Sequence, residues 1–305
     1  MQRFLRHGRI TITLAAALVC LGACLPGADG ALGAPTFRLQ SEGSGFVRLD
    51  VAGVGPPSAT FRVVLDVANP NPVPVRLALL EGDLTIASVP SARVRFVDGI
   101  DLPARGQSRL ALDVTIAAAA LPALGAALAD ALLGRPVAYR LDAEVGIDVF
   151  GAVQRFPRTT VVAGEVRSAL TLAAPTVRYD ATASGVRSVA FDRIVFDLVF
   201  DLDNTGAVGM IVRAPDVRVA LDGRNVATVQ VRATPLPAGA SARVVQELVI
   251  NPTQLGAAIV AELTRLAAGQ AASVRITLSG AWDLEVPGVV SRRIEAGQLL
   301  DVPID

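Results

Sequence analysis

A chain of 305 residues that is 52% hydrophobic and 18% charged is too apolar for disorder and long enough for one to three packed cores. Its 28 basic and 28 acidic residues cancel and are scattered, which excludes the basic groove that a nucleic acid needs. All 28 of the basic residues counted are Arg and Ala is abundant, a composition that reads as coding bias rather than a demand for guanidinium chemistry.

The first element in chain order reads as an export signal. Arg3, Arg6 and Arg9 precede a short apolar core, ITITLAAALV, too short and one-sided for a spanning helix. It ends in Leu21-Gly22-Ala23-Cys24, which resembles the lipobox of bacterial lipoproteins. The resemblance implies a signal peptide over residues 1–23, cleavage before Cys24, and acylation of that cysteine on its sulfur and then its amine. Each acyl methylene buried contributes about 0.8 kcal/mol, so several chains hold a soluble domain on a membrane. Residues 24–34 are then expected to form a flexible tether. Leu25 stands where an Asp retention signal would fall, which points to the periplasmic face of the outer membrane.

Export decides what chemistry is left. Cys20 leaves with the signal and Cys24 carries lipid, so no disulfide framework or free thiol is expected. The one histidine, His7, leaves too, which excludes the usual zinc sites and the Ser-His or Cys-His nucleophile pairs. Losing the three arginines leaves a net charge of roughly −3, unremarkable for a soluble domain.

Beyond the tether the chain repeats itself. Pro35-Thr36-Phe37-Arg38 returns as Pro175-Thr176-Val177-Arg178, and Leu65-Asp66-Val67-Ala68-Asn69 as Phe200-Asp201-Leu202-Asp203-Asn204. Leu102-Pro103-Ala104-Arg105-Gly106 corresponds to Leu236-Pro237-Ala238-Gly239, and Leu124-Gly125-Ala126-Ala127-Leu128 to Leu255-Gly256-Ala257-Ala258-Ile259. The landmarks keep their order, which predicts two tandem domains over residues 35–166 and 175–305, joined near Arg167 to Ala174. Phe61, Val63, Leu65 and Val67 alternate with other residues at a period of two, as do Ile194, Phe196, Leu198, Phe200 and Leu202. Further predicted strands cover 77–88, 109–116 and 137–149, then 216–221, 242–250 and 272–284. Turn signals fall at Glu81-Gly82-Asp83, Asp98-Gly99 and Asp222-Gly223. Short strands with this punctuation predict a mainly β fold, one sandwich per copy.

One segment in each copy is predicted helical. Leu121, Leu124, Leu128 and Leu132 recur at helical spacing, with Pro122 suited to the first turn and Gly134 with Pro136 to the stop. Residues 114–134 hold one charge, Asp130, and so raise the question of a membrane span. The counterpart at 251–269 carries Gln254, Glu262 and Arg265, which assigns this position to a short surface-packed helix.

The strand ending in LDVANPNPVPV stops abruptly. Pro70 and Pro72 cannot donate to a ladder, and each keeps the residue before it out of the helical region. Asn side chains can bond the nearby backbone in place of lost ladder partners. This strand, the Glu81-Gly82 turn, Leu102-Pro103-Ala104-Arg105-Gly106 and the closing LALDVTI together resemble the late embryogenesis abundant group 2 family, or WHy (water stress and hypersensitive response) domain. Asn69-Pro70-Asn71 is its signature turn. The resemblance covers nearly all of the first copy; in the second, Asn204-Thr205-Gly206 replaces the tripeptide and leaves room for a differently built exit. It implies an immunoglobulin- or fibronectin-like sandwich with one helix per domain. It also implies a non-enzymatic role in desiccation and other stress, with no catalytic residues and no cofactors.

Other constellations have bland readings. Asp197, Asp201 and Asp203 with Asn204 could be offered to calcium, but the three Asp share a solvent face and lack EF-hand spacing. Glu42-Gly43-Ser44-Gly45 lacks the third glycine and the lysine of a phosphate loop. Trp282 and Tyr139 read as core or rim aromatics. The expectation is therefore a membrane-anchored protective or structural lipoprotein making weak contacts with proteins or lipids. The alternative is a sandwich that carries a lipid or other apolar ligand.

Overall fold

The computed structural model describes residues 32–53 and 55–304; the expected signal peptide and Cys24 lie outside the described residues. The first sandwich runs through β1 (Thr36–Leu39), β2 (Gly45–Asp50), β3 (Ser58–Ala68), β4 (Val75–Ile86), β5 (Val89–Phe96), β6 (Ile100–Leu102) and β7 (Gln107–Ile116). It continues with α1 (Gly125–Leu132), β8 (Pro136–Val149) and β9 (Ala152–Arg167). The second repeats the plan with β10 (Thr176–Tyr179), β11 (Gly185–Val189), β12 (Ile194–Asp203), β13 (Met210–Leu221), β14 (Arg224–Leu236) and β15 (Ser241–Ile250). It closes with α2 (Ala257–Ala267), β16 (Val274–Val286) and β17 (Val290–Ile304). The protein is thus mainly β, with two tandem sandwiches and one short α-helix in each.

In the first copy β3 is flanked by β7 on one edge, while β1 and β2 share the other, end to end. The facing sheet runs β5-β4-β8-β9, with β6 continuing the β5 edge along β4. The second copy has the same arrangement: β12 between β15 and the β10/β11 pair, facing β14-β13-β16-β17. All of these pairings are antiparallel.

The alternation in the sequence decides which side of each strand turns inward. Phe61, Val63, Leu65 and Val67 are fully buried, and Phe61 meets Phe46 edge-on at 5.1 Å. The outward residues of β3 pair across to β7, Arg62 with Asp113 at 2.6 Å and Asp66 with Arg109 at 3.6 Å. Each inward side chain of this size contributes about 1.5–3 kcal/mol by leaving water, whereas each exposed ion pair contributes at most about 1. The core therefore sets the fold and the charges decorate it.

The helical segment between β7 and β8 opens later than the leucine spacing suggests. Residues 118–124 make two 3₁₀ turns, Pro122 starting the second, and the α-helix begins only at Gly125. Leu124, Ala127, Leu128 and Ala131 are buried beneath it, so it closes one end of the core. Among the described residues no helix is long and apolar enough to cross a membrane.

The turn expected at Glu81-Gly82-Asp83 is a correction: these residues lie inside β4, paired to both β5 and β8. A Cβ on Gly82 would sit 2.1 Å from the Asp142 carbonyl oxygen and 2.5 Å from the Ala143 Cβ. The glycine lets two central strands approach closely and marks no reversal of the chain. Asp222-Gly223 does form a tight hairpin, with both φ angles positive (45° and 80°) as such turns require.

Candidate functional site

The buried polar side chains of the described residues gather mainly at the exits of the two Asn-ended strands. Asn69, directly after β3, is buried. Its side-chain amide donates to the carbonyls of Val73, Leu102 and Pro103 at 2.8, 3.3 and 3.0 Å, and its Oδ1 accepts from the Asn71 backbone at 2.9 Å. Its own N–H donates to the Gly106 carbonyl at 2.8 Å. Pro70, Pro72 and Pro74 have no N–H to place, and Asn69 joins the carbonyls of the chain leaving β3 to those of the β6–β7 turn.

The second copy, without the tripeptide, is built the same way. The Asn204 amide donates to Val208, Leu236 and Pro237 at 2.8, 3.3 and 3.0 Å, and its Oδ1 accepts from the Gly206 N–H at 3.0 Å. The exit is built differently at its third position alone, because the first asparagine makes the bonds that the two copies share. The third position differs. Asn71 clasps Gly33 through both backbone groups, accepting from its N–H at 2.7 Å and donating to its carbonyl at 3.0 Å. Gly206 has no side chain with which to do so.

A second paired device had no legible signal. Where β1 and β2 meet along β3, the Ser44 hydroxyl accepts from the Val64 N–H at 2.9 Å and donates to the Gln40 carbonyl at 2.6 Å. Ser184 stands at the same place between β10 and β11, accepting from the Val199 N–H at 2.8 Å but donating to that residue's own carbonyl at 3.2 Å. Glu42-Gly43-Ser44-Gly45 is thus the break in a split edge strand, with its hydroxyl replacing missing ladder bonds.

The sandwiches stack head to tail. Leu49 of β2 exchanges backbone bonds with Ala207 and Gly209 at 2.9 and 2.7 Å, and Arg48 donates to the Ala238 carbonyl at 3.0 Å. The connection from β9 to β10 is packed too: Leu170 and Leu172 are buried and the Ser168 hydroxyl accepts from the Phe46 N–H at 2.9 Å. The Asn-bearing pole of the second copy therefore abuts the far end of the first. The Asn-bearing pole of the first is where Gly33 packs, through its bonds to Asn71.

Asp197, Asp201 and Asp203 do not converge on a common point. Asp197 pairs with Arg187 at 2.6 Å, Asp201 and Asp203 each with Arg178 at 3.3 Å, and Asn204 turns inward. Among the described residues no group of three His, Cys, Asp or Glu side chains is placed to hold a metal ion. The perturbed carboxyls are surface ones: the Arg62 guanidinium holds Asp113 below the usual range, and the Thr182 hydroxyl with the Ala183 N–H does the same for Asp180. Two open clefts lie on the second sandwich. One, about 580 Å³, lies over Asp216, Arg218, Arg293 and Glu295; the other, about 770 Å³, lies along β14 and β15 beside Arg232, Val245 and Glu247. The acidic groups beside Arg293 are spent on it, Glu295 at 3.1 Å and Asp283 at 3.6 Å.

Trp282 and Tyr139 are both core residues. The Tyr139 hydroxyl is buried with no hydrogen-bond partner among the described residues, and burial pushes its pKa far above that of an ordinary tyrosine. Leaving such a group unpaired costs about 1–3 kcal/mol. Tyr139→Phe is therefore expected to raise the unfolding free energy by about 1 kcal/mol. Urea denaturation reads this directly, and a lowered midpoint would show that the hydroxyl has a partner in solution.

Two stacked antiparallel sandwiches, each with one short α-helix and a buried asparagine at a strand exit, define a mainly β protein. Residues 64–171 match the family model described as late embryogenesis abundant protein, which supports a domain of that family in the first copy. No curated protein matches the chain. Among solved structures, a protein from Archaeoglobus fulgidus is similar over 46% of this chain and 99% of its own, at 12% identity and a TM-score of 0.27. Red sea bream transglutaminase is similar over 87% of this chain and 31% of its own, at 8% identity and a TM-score of 0.28. The Salmonella enterica SafA pilin in complex with the SafB chaperone is similar over 90% and 97%, at 11% identity and a TM-score of 0.22.

Proposed function

We propose that the protein is a non-enzymatic lipoprotein of the cell envelope, anchored through Cys24, with a protective or structural role when water is scarce. The observation that carries this reading is the family match over residues 64–171, which begins in the strand leading into the buried Asn69 exit. The surface chemistry supports it. Outward faces carry cross-strand pairs such as Arg93–Glu81 at 2.5 Å, Arg155–Glu144 at 3.0 Å, Arg213–Glu285 at 3.0 Å and Arg275–Asp301 at 2.9 Å. Two charges 4 Å apart attract by about 1 kcal/mol in bulk water and about 4 at an effective dielectric constant of 20. Such pairs tighten as water is withdrawn, so the fold is reinforced by the stress it would meet. The lipid-carrying alternative gains no support from the second sandwich, where the apolar gap beside Trp282 and Phe200 is about 10 Å³, no more than one water's room.

The anchor is tested by labelling cells with radioactive palmitate. The wild-type chain takes up label and fractionates with membranes, whereas Cys24→Ser accumulates as unlabelled precursor. Label on the substituted protein would refute the assignment of Cys24.

A further inference from the structure

We infer that the tether pole of the first sandwich is a lipid-surface docking end, and that the β8–β9 hairpin tip inserts Phe150 into the bilayer that carries the anchor. The inference rests on the lipid-anchor reading and adds a second point of membrane contact to it.

The first observation is the residue itself. Phe150 and Gly151 form the hairpin turn with φ angles of 54° and 88°, both in the left-handed region. Tight turns of this kind favour Asn, Asp or Gly at the first position, and a bulky residue there is strained. The aromatic ring gains nothing within the protein in return, since Phe150 is 91% exposed, with Val153 52% exposed beside it. Strain kept at an apolar residue that packs on nothing points outside the fold.

The second observation is position. β8 ends beside the start of β4, with Asp148 opposite Arg76, so the tip stands at the pole where β3 exits through Asn69. Asn71 clasps Gly33 at that same pole. Nine peptide steps separate Cys24 from Gly33, at most about 30 Å of extended chain, so a lipidated Cys24 keeps this pole close to the bilayer.

The third observation comes from the repeat. In the second copy the matching hairpin turns through Pro287 and Gly288, and the Gly288 carbonyl lies 3.1 Å from where a Cβ on Gly125 of α1 would sit. That tip is docked on the first sandwich. The same feature of the fold thus makes an end-on contact in one copy, and in the other it carries an exposed aromatic facing the direction from which the tether comes.

The full-length lipidated protein, reconstituted into phosphatidylethanolamine–phosphatidylglycerol vesicles with or without brominated acyl chains, tests this. Phe150→Trp adds a reporter at the tip. Phe191→Trp adds an equally exposed one on the β11–β12 loop at the opposite end of the molecule, and Trp282, 1% exposed, is a shared background. Brominated chains are expected to quench about half of the added emission of Phe150→Trp, as for a side chain at the acyl boundary, and none of that of Phe191→Trp. Vesicle-bound protein with neither reporter quenched would overturn the docking and leave the anchor standing. Protein that fails to float with vesicles would overturn both. A doubled mass by sedimentation that Phe150→Ala abolishes would assign the tip to a second copy of the chain and overturn the bilayer as its occupant.

Discussion

Asn69→Asp is expected to lower the unfolding free energy of the first sandwich by about 4 kcal/mol, more than Asn69→Ala at about 3. The amide faces three carbonyl oxygens at 2.8–3.3 Å, and its Oδ1 holds the Asn71 N–H. Alanine removes the donor and leaves buried backbone groups unpaired, each costing about 1–3 kcal/mol, less what local relaxation recovers. Aspartate is worse despite its near-identical shape. It places a second acceptor against the three carbonyls and must either bury a charge or take up a proton. The ordering of the two variants is the informative part: cavity formation alone would make alanine the more damaging. Asn204→Asp is expected to do the same to the second sandwich, since Asn204 makes the same four bonds. Calorimetry should show each variant lowering a transition, and an Asn69→Asp protein as stable as wild type would remove the asparagine exit from the account.

The second large effect is expected at Gly82. Gly82→Ala puts a methyl 2.1 Å from the Asp142 carbonyl oxygen and 2.5 Å from the Ala143 Cβ, and the nearest obstacle is backbone. A flexible side chain could swing aside, but the β8 backbone is held between β4 and β9. Relief requires β4 and β8, the central pair of their sheet, to separate, at a cost of about 3 kcal/mol or more. Gly185→Ala is the control, because a Cβ there meets nothing within 4 Å. It is expected to stay within about 0.5 kcal/mol of wild type. Equal stability of the two variants would mean that the close approach of β4 and β8 is not a feature of the folded protein.

Gly82 also shows where sequence reading runs out. Glu-Gly-Asp is a turn signal locally, and only the neighbouring strand reveals that the missing side chain is an accommodation of β8. β3 and β12 were legible because they are central strands with one face wholly buried, so their inward residues keep a period of two even where Val64 and Val199 on the other face are buried as well. β9, β14 and β17 were not. They are edge strands with many exposed positions, and register shifts along their pairings break the alternation that marks a strand. β9 even holds Pro157, which an edge tolerates and an interior strand does not.

The site was legible in part for the same kind of reason. Pro70 and Pro72 announce an exit and the asparagines a local bonding role, but the three carbonyls that Asn69 gathers come partly from the β6–β7 turn, more than thirty residues on. The bond from Asn71 to Gly33 is also long-range, and so is invisible to local pattern. Ser44 and Ser184 carry meaning only once β1 and β2, or β10 and β11, are known to share an edge. The repeat aligns Asn204 with Asn69, but the Thr-Gly that follows it hid that the asparagine keeps the same bonds.

The protective role is tested most directly by drying a labile enzyme with residues 32–305 and rehydrating it, against equal masses of serum albumin and of an unrelated β-sandwich domain. Recovered activity is expected well above both controls, and above that obtained with the Asn69→Asp chain, whose first sandwich is weakened. Recovery no better than with albumin would contradict a protective role for the two sandwiches.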